Sequence, residues 1–223
     1  FVLCIAIGSL AVAVLPRIPA GLALGCAWIL VVLLFPLYFA LADVTYWAHV
    51  IRALFSSEDP AFYAYHLVTF LAMLAVLAVP IGLSGALLPL LFHELRREVR
   101  DLGSVAGSLY AWNTIGSLLG AIVGGYVLFF WFDLPQICRV AMSALAVGTA
   151  ILTLMVLRPL PRFVPVLMLL PTLGAIWLLP AWPNDHLSSG LFRSREPMRH
   201  SFAGPSKLFE NRRRGDPIFY QDG

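Results

Sequence analysis

The sequence predicts an all-α integral membrane protein: a bundle of about six transmembrane helices with an interfacial amphipathic helix, then a short soluble tail that begins a truncated domain. Three observations predict it. Of the 223 residues, 60% are hydrophobic and only 12% charged, about half the charge of an ordinary soluble domain; the mean hydropathy is +0.86. The charges fall in short clusters between long apolar runs, as a bilayer demands, because a charge in hydrocarbon is costly and a connecting loop is not. The runs also lack the regular polar alternation that a small soluble core would need.

A spanning helix takes about 20 apolar residues. Phe1–Leu15 reads as the end of one, closed by Pro16-Arg17-Ile18-Pro19. It has neither the basic leader nor the small-residue cleavage site of a signal peptide, and a start within an apolar run reads as an internal cut or as a true start lying upstream of Phe1. Gly21–Leu41 is the second span, with Pro36 near its end. Asp43–Ser57 mixes Tyr46, Trp47, His49 and Arg52 with Val50, Ile51, Leu54 and Phe55, a pattern suited to lying in the interface. Ser56-Ser57-Glu58-Asp59-Pro60 signals a helix start. The third span, Ala61–Phe92, is long enough to tilt or bend, and Pro80 and Gly82 mark its expected functional break.

The dense charged stretch His93–Asp101 holds Arg96, Arg97 and Arg100 beside Glu94, Glu98 and Asp101. Its near balance of signs favours a self-paired helix extension over a lipid-phosphate patch. Spans four to six are Ser104–Phe130, Ile137–Leu157 and Phe163–Ala181. The expected domains are therefore 1–181, the transmembrane bundle, and 182–223, a linker with the first strand of a truncated domain.

The strongest local pattern is Gly116, Gly120 and Gly124, spaced by four in one span. Such a face lets another backbone come close, and packing within the bundle is its expected use, ahead of oligomer contact or a moving transporter interface. Asn113 and Thr114 are polar groups inside the same span. Thr114 can bond back to its own helix; Asn113 is expected to bond across to another. His66, beside Tyr63 and Tyr65, is expected to be structural. No Asp, Glu or Lys lies mid-span, which argues against an ion-coupled pump. Cys4, Cys26 and Cys138 have neither metal spacing nor a paired framework and read as inert thiols. No catalytic, cofactor or metal residue is assigned, and Arg212-Arg213-Arg214 is too short to argue for nucleic acid. The expected partners are the lipid bilayer, other membrane subunits or a second copy.

Gly107-Ser108-Leu109-Tyr110-Ala111-Trp112-Asn113-Thr114-Ile115-Gly116-Ser117-Leu118-Leu119-Gly120-Ala121 resembles a segment of bacterial membrane proteins fused to a spermidine-synthase-like domain. Val79-Pro80-Ile81-Gly82-Leu83-Ser84-Gly85-Ala86-Leu87-Leu88-Pro89 is similar to the stretch that precedes it in that family, and Asp216–Gly223 to the first strand and turn of the synthase domain. The matches keep the family's order and cover a small part of the chain. The resemblance implies a major-facilitator-like membrane half in the bacterial inner membrane, and a downstream aminopropyltransferase-like domain whose cofactor loop and catalytic Asp lie beyond Gly223. A full bundle of that type has about twelve spans, against six expected here. The alternatives are a secondary or half-transporter of small cationic solutes, and a non-catalytic accessory subunit.

In a six-span bundle the connections at Arg17, at Arg96/Arg97/Arg100 and at Arg158/Arg162 share one side, which the positive-inside rule places in the cytoplasm. The tail then emerges opposite, whereas a synthase using decarboxylated S-adenosylmethionine works in the cytoplasm. The side of the tail stays open.

Overall fold

The computed structural model describes residues 1–55, 59–96, 102–156, 163–193, 197–198 and 200–210. The described chain is helical, and no strand occurs among the described residues: α1 Val2–Val14, α2 Leu22–Ala42, α3 Val44–Ala53, α4 Asp59–Leu95, α5 Leu102–Gly125, α6 Leu134–Val156, α7 Phe163–Trp177, α8 Asn184–Leu187 and α9 Pro205–Glu210. The strand expected at Phe219–Gly223 and the paired charges expected at Arg97–Asp101 lie outside the described residues.

Four segments are long and apolar enough to cross a membrane: Leu22–Ala42, Pro60–Leu95, Gly103–Phe130 and Leu134–Met155. The first and last expected spans form shorter apolar helices of 13 and 15 residues. At about 1.5 Å per residue, neither reaches the roughly 30 Å of a hydrocarbon core. Outward faces are strongly apolar. None of the apolar window of α5 is buried, and only 6% of that of α4. Exposed Leu71, Val76, Leu118 and Ile122 form surfaces a water-soluble protein would cover.

Prolines do not interrupt these helices. α2 runs through Pro36, α4 through Pro80 and Pro89, and α7 through Pro171. At Pro80 and Gly82, where a break is expected, the helical assignment of α4 is continuous. Each proline removes one backbone bond, but in apolar surroundings leaving the helix would strand many more polar groups, so the helix continues.

The chain divides into two compact units. The first combines Phe1–Phe35 with Leu77–Leu179; the second combines Pro36–Val76 with the tail from Pro180. In the first unit, Val12 of α1, Ala23 of α2, and Ala86 and Leu90 of α4 form a buried cluster, ringed by Ile18, Leu22, Cys26 and Leu91. Trp28 Nε1 donates to Thr153 Oγ1 at 3.1 Å, joining α2 to α6, and that hydroxyl donates to the Thr149 carbonyl at 2.7 Å. Arg139, early in α6, donates to the Leu179 carbonyl at 2.7 Å just past the end of α7, where a cation suits the helix dipole.

In the second unit the tail is not a loose linker. Tyr46, Leu191, Leu208 and Phe209 make a buried cluster, with Val50 and Met198 against it. Tyr38 is fully buried; its hydroxyl donates to the Pro180 carbonyl at 2.8 Å, and its ring lies 4.9 Å from that of Trp182. The chain after α7 folds back on α3 because α3 offers a face of hydrogen-bonding groups that the tail's backbone and side chains satisfy.

Candidate functional site

Three features stand out, the first of them the glycine row of α5. A Cβ built on Gly116, Gly120 or Gly124 meets nothing within 4 Å. Among the described residues no other helix comes against these three positions, and the row lies on an exposed stretch of α5. Close backbone approach occurs instead between α1 and α4. A Cβ on Gly8 would overlap the Gly82 carbonyl, and one on Gly85 would collide with the backbone of Ile5. Ser9 Oγ donates to the Gly85 carbonyl at 2.9 Å beside them. Small residues bring the two helices together here, and dispersion and a short polar contact hold them. Pro80 is buried near this contact, and Gly82 supplies a contact surface.

Asn113 also differs from expectation. Its side chain is exposed and makes no hydrogen bond among the described residues; its backbone carbonyl accepts from Ser117 Oγ at 2.8 Å. A side-chain hydrogen bond between helices is made instead by Trp28 and Thr153. Thr149 and Thr153, one turn apart on α6, were the available signal. Thr114 bonds back to the Tyr110 carbonyl at 2.8 Å, and His66 Nδ1 contacts the Phe62 carbonyl of its own helix at 2.8 Å.

The second feature is the polar face of α3 under the tail. Thr45, Tyr46 and His49 are buried. Thr45 Oγ1 donates to the His186 carbonyl, and Tyr46 Oη accepts from the Gly204 amide at 3.1 Å. Asp43 Oδ1 lies 2.8 Å from His186 Nδ1, and the His186 ring stacks on Phe209 at 3.7 Å. His49 Nε2 lies 2.8 Å from Ser201 Oγ, which accepts the Met198 amide at 2.7 Å.

A serine and histidine at this distance invite a nucleophile–base reading. Burial decides against it: His49 is 0% and Ser201 1% exposed, so no substrate reaches the hydroxyl. Nor is the imidazole oriented as a base would be, since Nδ1 has no partner among the described residues and the carboxylate of Asp43 contacts His186 instead. The pair is a fastening between α3 and the tail. The opposite face of α3 is apolar and outward, with Val44, Trp47 and Leu54 exposed at 46%, 53% and 62%. Water is a poor environment for that face, and a bilayer surface is a good one.

The third feature is an open cleft of about 790 Å³ where α1 ends and α4 ends, lined by Arg17, His93 and Arg96 and by apolar side chains. Next to it, Glu94 Oε1 accepts the Gly21 amide at 2.7 Å at the start of α2, where a carboxylate satisfies an orphan donor and the dipole. Gly21 holds φ +80 there, which explains a glycine at this corner.

Among the described residues no three His, Cys, Asp or Glu side chains gather into a metal-binding set. Comparison of the chain with protein-family models, curated proteins and solved structures finds no match.

Proposed function

We propose that this chain is the membrane module of a spermidine-synthase-like fusion protein, and that it anchors a transferase domain following the tail. The observation that carries the reading is the fastening of the tail to α3. Apolar helices hold the module in a bilayer, while the His49–Ser201, Asp43–His186 and Tyr46–Gly204 contacts fix the chain up to Glu210 against an amphipathic helix. A domain attached after such a segment is held at a defined place at the membrane surface. The apolar stripe of α3 supports its seating in the interface, and the three ordered sequence matches support the family. The bacterial inner membrane is the corresponding location.

The test is the reading frame encoding the chain. Continuation into a Gly-rich cofactor loop followed by an acidic catalytic position is expected. A stop codon directly after Gly223, or continuation without a Rossmann-like pattern, overturns the proposal.

A second reading, a module packed against other membrane subunits or a second copy, is favoured by α5. Its apolar window is wholly unburied and its glycine row open, as a helix awaiting a partner would be. The transporter alternative draws no support from α4, which runs uninterrupted through Pro80.

A further inference from the structure

The cleft at the ends of α1 and α4 has two chemically distinct halves. Arg17 and Arg96 supply positive charge, with His93 also in the lining, while Val12, Leu15 and Phe92 are apolar lining residues. Neither arginine has an ion-pair partner among the described residues, and the acidic neighbour Glu94 is already engaged by the Gly21 amide. Both arginines are exposed, so their charge is available without first breaking a protein contact. The cleft opens where two apolar helices reach their polar ends, the depth at which a bilayer changes from acyl chains to headgroups.

From this juxtaposition we infer that the cleft binds one anionic glycerophospholipid, its phosphate between Arg17 and Arg96 and the start of an acyl chain along Leu15 and Phe92. Guanidinium groups bind phosphate through parallel N–H donors, and their separation on two connections lets one phosphate bridge α1 to α4. The apolar wall gives the ligand its class. A free phosphate would satisfy the arginines and leave that wall wet, whereas a lipid satisfies both. The inference rests on reading α1 and α4 as membrane helices, and goes beyond anchoring by assigning the module a specific lipid.

The test uses the full chain, purified, delipidated and held in a neutral detergent, with native mass spectrometry as the readout. Phosphatidylglycerol is expected to bind at one copy per chain, and phosphatidylcholine of the same chain length to fail to displace it. Arg17→Gln with Arg96→Gln removes both guanidinium contacts to the phosphate and is expected to weaken binding at least about tenfold. Leu15→Asn, at an exposed position, should weaken the lipid but leave any binding of inorganic phosphate unchanged. Equal binding of the two lipids, or unchanged binding by the double variant, overturns the inference. So does displacement of the lipid by inorganic phosphate at low millimolar levels, which would make this a free-phosphate site. Carbonate-resistant membrane integration of each variant is measured alongside. Loss of integration in the unaltered chain would overturn the membrane reading itself, whereas intact integration without selective lipid binding would overturn only the site.

Discussion

The carbonyl oxygen of Gly82 occupies the space where a side chain at Gly8 would begin. Two backbones that close cannot be separated by a flexible tip moving aside; one helix has to shift. Gly8→Leu is therefore expected to destabilise the chain by at least the roughly 1–3 kcal/mol of ordinary overpacking. Thermal aggregation in detergent, beside a control at an exposed position such as Leu118→Ala, checks it. A Gly8→Leu midpoint equal to the control would show that α1 does not rest on α4.

Gly120→Leu should behave differently. With nothing within 4 Å of a Cβ there, the isolated chain is expected to keep its thermal midpoint. If a second copy or another subunit covers α5, the same variant should shift the population toward the monomer in size-exclusion chromatography. A lowered midpoint in a chain that is monomeric throughout would reveal an intramolecular partner after all.

Thr153→Val tests the polar contact between α2 and α6. Valine keeps the shape of threonine but leaves the Trp28 indole N–H without its acceptor at 3.1 Å. Interhelical hydrogen bonds in membranes average about 0.6 kcal/mol and reach about 1.7 kcal/mol, and a loss in that range is expected. Trp28→Phe should cost a similar amount, and the double variant little more than either single one, because both remove the same bond. Full additivity would mean the two residues act independently.

Ser201→Ala should loosen the tail. It leaves His49 Nε2 and the Met198 amide without their shared partner in a site closed to water, a cost of about 1–3 kcal/mol for each stranded group. Limited proteolysis reads the result: cleavage within 180–210 is expected to accelerate several-fold while α4 and α5 remain uncut. Unchanged tail cleavage would mean that the hydrophobic cluster of Tyr46, Leu191 and Phe209 holds the tail without help.

What the sequence made legible was length and hydropathy. The four long helices and the exclusion of charge from them follow from composition alone, since the bilayer limits both strongly. Partner choice was less legible. Gly116, Gly120 and Gly124 carry a strong local pattern, yet the close approach is made by Gly8, Gly82 and Gly85, on helices with weaker patterns. A glycine row states that a backbone can approach, and does not say which one will. Asn113 looked the more demanding polar group, but its exposed side chain makes no hydrogen bond among the described residues, while Thr153 serves two partners at once. On α3 the amphipathic character was legible, whereas the cover of its polar face was not: that face meets the tail, which lacks the periodicity that would have announced it.

The fastening of α3 has a consequence for the order in which this protein is made. His49 and Ser201 are separated by 152 positions, so α3 leaves the ribosome long before its cover. At about 5–20 residues per second, the wait is roughly 8 to 30 s. Throughout it Thr45, Tyr46 and His49 lack the partners that later bury them, so water is the medium that can satisfy their polar groups. Only when the last described segment arrives can that face dry. The second unit is thus completed only after Ser201 has been made, and a ribosome stalled before residue 180 would leave a chain whose long apolar helices are made but whose α3 is still uncovered.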